Sequence, residues 1–384
     1  MKWALLKIRM MKFVIASLFV FSCANNQSSF SLLPTGQTFK QAANLVNSKI
    51  DILWVIDNSG SMSPSQQNIL NNFSAFMNNF IAKKLDFQMA VTTTDAYKAG
   101  AFFANNAAYT TFKDGATFTK NGVTYNKHTG IDLIYPGVSA DLTATFVVNG
   151  YQGDQGSGDE RAFSSFMSAL GDKTNPLLIR QNSYLAVIIL SDEDDFSSPT
   201  RVENSWASKG QNETQAQYNA RYVSDHNYTY TGLDTIGSYI SSLDTLTGST
   251  PALRHYNVSA ITAEDSSCVN SLLAAGSSTT IIGQRYIDLA TQTNGVVGSL
   301  CDTNFSGTLN SIQEKILELS TEFYLQRAPN VSSIVVDVNS VTISQDPVNG
   351  WTYDSANNGI IFHGNAIPPS GADIGVNFDP VTIK

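Results

Sequence analysis

The sequence is poor in charged side chains, which make up 14% of its 384 residues. Its net charge is −9, and no long run of Lys or Arg occurs anywhere. An acidic chain without a basic patch repels a phosphate backbone, so the composition argues against nucleic-acid binding. The hydrophobic fraction of 42% is ample for a full core, and the length suits more than one domain.

Histidine is also scarce, and its four copies stand far apart, at His128, His226, His255 and His363. Their isolation excludes the usual zinc-ligand spacings and leaves no imidazole base beside a nucleophile. A Gly-x-Ser-x-Gly elbow, a phosphate-binding P-loop and a dinucleotide fingerprint are all absent. We therefore expect that the protein is not an enzyme.

Cysteine occurs three times, at Cys23, Cys268 and Cys301. The first follows a basic head and an apolar stretch over residues 13–21, which is too short to span a bilayer as a permanent helix. Residues 20–23, Val-Phe-Ser-Cys, resemble the bacterial lipobox. This resemblance implies that residues 1–22 are a cleaved signal peptide and that Cys23 carries a lipid anchor.

An ordinary signal peptide followed by a coincidental cysteine is the alternative to lipidation. The residue after Cys23 is Ala24 and not Asp, which favours the outer membrane by similarity to Gram-negative sorting rules. Loss of the leader would bring the net charge from −9 to about −13. In an exported chain Cys268 and Cys301 have only each other as partners, so a disulfide is expected rather than two buried free thiols.

Short apolar runs alternate with amphipathic helical segments from residue 48 to residue 325. The runs have strand length, and the helical segments place apolar residues three and four positions apart. This alternation predicts a doubly wound α/β domain with a mainly parallel sheet. The predicted strands cover residues 50–56, 87–91, 184–190, 256–261 and 296–297.

Other stretches do not follow this rhythm. Residues 23–47 are polar and aperiodic, which is typical of a tether. Residues 96–156 and 197–230 predict loop insertions, the first with a hairpin turn at Asn121-Gly122. Residues 326–384 carry short alternating strands separated by turns, which predict a small β-sandwich-like C-terminal module.

The loop Asp57-Asn58-Ser59-Gly60-Ser61-Met62 directly follows the first predicted strand. Ligands bind at the carboxyl ends of strands in open parallel sheets. Here one carboxylate and two hydroxyls at alternate positions can converge on one point. Such hard oxygen donors suit Mg²⁺, Mn²⁺ or Ca²⁺ rather than zinc. The alternative is a plain strand-to-helix turn with Asp57 as a cap.

A buried strand, a D-x-S-G-S-M loop and an amphipathic helix in this order resemble the von Willebrand factor type A family, in which the loop forms the metal-ion-dependent adhesion site. The resemblance implies a further Asp ligand, which is Asp192 after the strand at 184–190. It also implies a Thr from a second loop. No Thr stands there, but Ser157 has the matching offset, with Thr93 or Thr94 as the alternative. Asp194 and Asp195 are expected to form a solvated acidic turn.

By resemblance, the metal held by Asp57, Ser59, Ser61, Ser157 and Asp192 keeps one coordination position open for an acidic side chain. This interpretation predicts a lipid-anchored cell-envelope protein that binds a protein or surface ligand, as an adhesion or assembly module. A structural envelope lipoprotein, whose metal only stabilises the fold, is the first alternative. A hydrolase is the second, and it would need activity that survives loss of Asp57.

Overall fold

The computed structural model of the protein describes most of the chain after residue 38. The described residues are 39–45, 49–83, 85–96, 110–156, 158, 160–197, 214, 233–251, 253–277, 280–302, 304–369 and 371–381. Cys23 and Ser157, two of the residues singled out above, lie outside them. In the described part of the chain, no helix combines the length and the apolar character needed to cross a membrane.

The structure contains the predicted alternation of strands and helices. The strands are β1 (Phe39–Leu45), β2 (Lys49–Ile56), β3 (Asp86–Thr93), β4 (Gly115–Lys120), β5 (Val123–His128), β6 (Leu133–Ile134), β7 (Ser183–Ser191), β8 (Tyr256–Thr262), β9 (Val297–Ser299), β10 (Phe323–Tyr324), β11 (Val335–Val338), β12 (Val341–Ile343), β13 (Trp351–Asp354), β14 (Gly359–Phe362) and β15 (Asp373–Phe378). The helices are α1 (Ser63–Ala82), α2 (Leu142–Gly150), α3 (Ala162–Gly171), α4 (Ile236–Thr247), α5 (Ser266–Ala274), α6 (Gln284–Gln292) and α7 (Ser306–Ser320). The strand β6 and the helices α2 and α5 were not predicted.

The main sheet has the strand order β6-β3-β2-β7-β8-β9. All of its ladders are parallel except the one between β6 and β3 at the edge. Every residue of β2 after Lys49 is buried, because helices cover both faces of the sheet. The prediction of a doubly wound, mainly parallel sheet is confirmed.

Each face of this sheet has its own core. On one face Trp54 meets the rings of Phe73 and Phe76 from α1 edge-on, at centroid distances of 4.9 and 5.5 Å. On the other face the ring of Phe163 in α3 packs 5.6 Å from that of Tyr286 in α6. Successive residues of β2 point to opposite faces, so one strand anchors both cores.

The insertion at 96–156 contains more regular structure than loops. β4 and β5 form an antiparallel hairpin, and Asn121 and Gly122 both have positive φ angles, of 50° and 76°. The predicted hairpin turn is therefore present. Helix α2, which was not predicted, buries Phe146 against Trp54. Of the second insertion, at 197–230, only Ser197 and Thr214 belong to the described residues.

The C-terminal strands form two small antiparallel sheets, ordered β1-β15-β11-β12 and β10-β14-β13. They enclose a separate core that includes Trp351, Phe362 and Val376, which confirms the small all-β C-terminal module.

β1 differs from the prediction of a tether over 23–47, because its backbone pairs with β15 from the far end of the chain. A polar segment can adopt this conformation because the ladder uses backbone groups, which every residue other than proline supplies.

Cys268 and Cys301 are joined by a disulfide, with their Cα atoms 5.4 Å apart. Cys268 lies in the first turn of α5, and Cys301 follows β9, next to β8 in the sheet. The predicted pairing is therefore present. The bond ties α5 to the carboxyl edge of the sheet, where the candidate site lies.

Candidate metal centre

The candidate site lies where β2 and β7 end side by side. Their register pairs Ile56 with Leu190, and the N–H of Asp57 continues the ladder by donating to the carbonyl of Leu190 at 2.9 Å. The last ladder bond therefore places Asp57 beside Ser191 and Asp192. The chain then makes a short 3₁₀ turn over Gly60–Met62 and enters α1.

A continuous line of hydrogen bonds connects four of the five predicted ligands. The N–H of Ser59 donates to Asp57 Oδ1 at 2.8 Å, and the Ser61 hydroxyl donates to Asp192 Oδ1 at 2.9 Å. The hydroxyls of Ser59 and Ser61 are 2.8 Å apart. Since Ser61 has one proton and gives it to Asp192, Ser59 is the donor in that pair. Residues 131 positions apart in the chain thus meet in one oxygen-rich cluster.

Three further hydroxyls hold the two aspartates, and sequence reasoning did not find them. Ser191 donates to Asp57 Oδ2 at 2.6 Å, while Ser277 and Thr280 each donate to Asp192 Oδ2 at 3.0 Å. Ser191 could have been noticed as the neighbour of Asp192. Ser277 and Thr280 give no such signal, because they lie on a loop after α5 that only the fold brings to Asp192.

The aspartates are buried together, which disfavours their charged forms. Burial, and then the nearby charge of Asp192, raises the pKa of Asp57 to about 7, although hydrogen bonds from Ser191 and Ser59 oppose the rise. Burial also raises the pKa of Asp192, opposed by the hydroxyls of Ser61, Thr280 and Ser277. A bound cation would oppose both shifts, because its positive charge stabilises the ionised carboxylates.

Glu160 is a further acidic residue at this edge that sequence reasoning missed. Its side chain is fully buried, and neither carboxylate oxygen has a hydrogen-bond partner among the described residues. Burial raises its pKa well above the usual value, followed by the charges of Asp57, Glu193 and Asp192. The nearby hydroxyl of Ser59 lowers the pKa of Glu160 and so opposes this rise. The hydroxyl does not, however, form a hydrogen bond of good geometry with either carboxylate oxygen.

The backbone around Glu160 is fixed by two neighbouring strand ends. The N–H of Phe196, after β7, donates to the carbonyl of Glu160 at 2.9 Å, and the N–H of Arg161 donates to the carbonyl of Thr94 at 3.4 Å. The alternative second-loop ligands Thr93 and Thr94 thus lie at the adjacent end of β3, and both are buried. The hydroxyl of Thr94 has no hydrogen-bond partner within the described residues.

The expectation of a solvated acidic turn at Asp194 and Asp195 is wrong, because both side chains are buried. Asp195 accepts hydrogen bonds from the N–H of Phe163 at 3.0 Å and from the guanidinium of Arg285 at 3.2 Å. Asp194 accepts from the N–H of Arg285 at 2.9 Å. The two carboxylates therefore satisfy free N–H groups in the first turns of α3 and α6, where negative charge is favourable.

The donor set at the strand ends fits a hard divalent cation. Among the described residues, no three Asp, Glu, His or Cys side chains converge as a metal-binding group. A cation would therefore need the hydroxyls of Ser59 and Ser61 beside Asp57 and Asp192, a set that suits Mg²⁺, Mn²⁺ or Ca²⁺. The buried, unpartnered carboxylate of Glu160 next to them is a further sign that positive charge belongs here.

No protein-family model matches the chain, and no curated protein matches it either. Similar solved structures include a von Willebrand factor type A protein from Catenulispora acidiphila, with 12% identity, a TM-score of 0.31, and coverage of 91% of this chain and 67% of that one. They also include two pilus adhesins. RrgA from Streptococcus pneumoniae has 11% identity, a TM-score of 0.31, and coverage of 89% and 57%. SpaC from Lactobacillus rhamnosus GG has 12% identity, a TM-score of 0.35, and coverage of 89% and 40%.

This chain thus spans between 40% and 67% of the length of those three proteins. Similarity at this level is too distant to indicate function, which has to be argued from the side chains at the site.

Proposed function

We propose that the main domain binds a divalent cation, Mg²⁺ or else Mn²⁺ or Ca²⁺, with Asp57, Ser59, Ser61 and Asp192. The observation that carries this proposal is the unbroken hydrogen-bonded line from Asp57 through Ser59 and Ser61 to Asp192. Ser157 remains a proposed fifth ligand. Through the cation the domain captures an oxygen ligand, a carboxylate of a protein or surface partner, and so acts as an adhesion or assembly module.

The protein side chains prepare this site before any ligand arrives. Ser191 orients Asp57, while Ser277 and Thr280 orient Asp192, so hydroxyl donors hold both carboxylates. A bound cation would supply the positive charge that attracts a ligand carboxylate. Outer hydrogen bonds of this kind usually sharpen metal affinity, because they fix the orientation of the ligands.

We also propose that the protein is a lipoprotein of the cell envelope, anchored through Cys23 and placed at the outer membrane. The lipobox-like residues 20–23 support this location, and the acidic composition supports a protein or surface ligand rather than nucleic acid.

A structural role for the cation is the second candidate function, and the burial of the site favours it. Asp57, Ser59, Ser61 and Asp192 are each at most 3% exposed, so a partner carboxylate could reach them only after a local opening. In that case the cation stabilises the junction of β2 and β7, and other surfaces contact the partner.

Thermal melting with Mg²⁺, Mn²⁺ or Ca²⁺ against EDTA tests cation binding. A cation present at a hundred times its Kd should stabilise the fold by about 2.7 kcal/mol. Ser61→Ala should remove most of this gain, whereas Ser271→Ala, at an exposed helical serine, should keep it. No shift at millimolar concentrations of any of the three cations would refute the site.

Capture of envelope proteins by the immobilised protein separates the two functions. Under the binding proposal, capture disappears with EDTA and with Asp57→Ala, while the fold of the variant persists. Capture that survives both changes would instead support a structural cation.

A further inference from the structure

Glu160 is buried at the same edge of the sheet as the proposed cation ligands. Its exposed fraction is 0%, and neither of its carboxylate oxygens meets a hydrogen-bond donor in the described residues. Leaving a carboxylate desolvated and unpaired costs several kcal/mol. The hydrogen bond that holds this residue to the segment after β7 uses its backbone carbonyl and not its side chain. Within the described residues, no side chain or backbone group therefore donates a hydrogen bond in good geometry to this carboxylate.

We propose that Glu160 is an internal carboxylate of the cation site that acts from the outer shell of the cation. This inference rests on the proposed function and deepens it. Glu160 lies in the same second loop as Ser157, at the edge of the sheet where the strands end. Its carbonyl accepts a hydrogen bond from the N–H of Phe196 after β7, and the N–H of the next residue, Arg161, donates to the carbonyl of Thr94 after β3.

Glu160 is an outer carboxylate of the site and not a third direct one. Among the described residues, Asp57, Glu160 and Asp192 do not converge as a three-carboxylate group. An outer carboxylate strengthens cation binding through its charge and by orienting the groups that hold the cation.

Titration of the full chain with Mn²⁺, followed by the loss of the electron paramagnetic resonance signal of free Mn²⁺, tests this role. Glu160→Gln keeps the size of the side chain and removes its charge. We expect its Kd for Mn²⁺ to rise at least tenfold, the lower end of the range for residues that hold a metal through its outer shell.

Glu322→Gln is the matched control, since Glu322 is partly buried and its Oε1 also has no partner within the described residues, but it lies at the start of the C-terminal module. Its Kd should match that of the wild type.

The outcomes separate this inference from the function on which it rests. If the wild type binds no Mn²⁺, the proposed function itself fails. If the wild type binds Mn²⁺ and Glu160→Gln binds it within twofold of the same Kd, Glu160 is only a buried residue and the inference is overturned. If Glu160→Gln does not fold, Glu160→Asp is used in its place. This variant keeps the negative charge but shortens the side chain by one methylene, which moves the carboxylate away from the site. An unchanged Kd in that variant overturns the inference as well.

Discussion

Asp57→Asn should stabilise the cation-free protein at pH 8, although it removes a residue of the proposed site. The carboxyl of Asp57 is fully buried, and its pKa rises from the usual 3.8 to about 7 on folding. Such a shift corresponds to a cost of about 4 kcal/mol for holding the charge in the folded state at pH 8. The amide of Asn carries no charge but loses part of the hydrogen bonding with Ser191 or Ser59, at about 1 kcal/mol. The net gain is then about 3 kcal/mol.

The pH dependence of this gain follows from the direction of the shift. A carboxyl with a raised folded pKa binds its proton more tightly in the folded state. Its contribution to stability is complete below pH 3.8 and is lost as the pH rises through about 7. At pH 5 the cost of the charge is only about 2 kcal/mol, so the advantage of Asp57→Asn should fall to about 1 kcal/mol.

Thermal melting in EDTA at pH 5 and pH 8 measures this effect. With about 2 °C for each kcal/mol in a chain of this size, the variant should melt about 6 °C above the wild type at pH 8 and about 2 °C above it at pH 5. Asp265→Asn is the control: Asp265 is the exposed N-cap of α5, where Asn caps equally well. A variant that melts below the wild type at pH 8, or a difference that does not vary with pH, would refute the reasoning.

Three further predictions concern the cation, the disulfide and the anchor. Because the ligands bind a cation in their ionised forms, saturating Mn²⁺ should raise the melting temperature more at pH 8 than at pH 5, and equal increments would contradict the pKa of Asp57. Replacing Cys268 and Cys301 by Ser removes the disulfide, whose sequence separation is 33, and should lower the free energy of unfolding by about 3–4 kcal/mol. Urea unfolding measures this loss, and an unchanged urea midpoint would contradict the expected stabilisation by the disulfide. Cys23→Ser should abolish incorporation of labelled palmitate, and a labelled variant would exclude lipidation at that position.

Local patterns in the sequence predicted the five parallel strands of the main sheet, but not the edge strand β6 or the contacts between distant parts of the chain. β2 and β7 are continuous apolar runs because helices cover both faces of the sheet, and this burial shows directly in the residue types. The loop after β2 could be found because its three oxygen-bearing residues are nearly adjacent in the chain.

The rest of the site depends on the tertiary fold. Ser277 and Thr280 reach Asp192 only through the path of the loop after α5, and the pairing of β1 with β15 joins opposite ends of the chain. Asp194 and Asp195 look like solvent-exposed residues in sequence, but two helix N-termini converge on them and supply the N–H donors that make their burial possible.

The position of β2 between β1 and Asp57 determines how the protein would carry mechanical force. β1 is joined to β2 by residues 46–48, and Asp57 follows the last residue of β2. Tension between the segment before β1 and a partner held at Asp57 would therefore run along β2. Parallel ladders of eight residue pairs hold β2 to each of its neighbours, β3 and β7. Such a pull would be carried by the covalent backbone of β2, which is already extended, while the two ladders keep the strand in place between its neighbours.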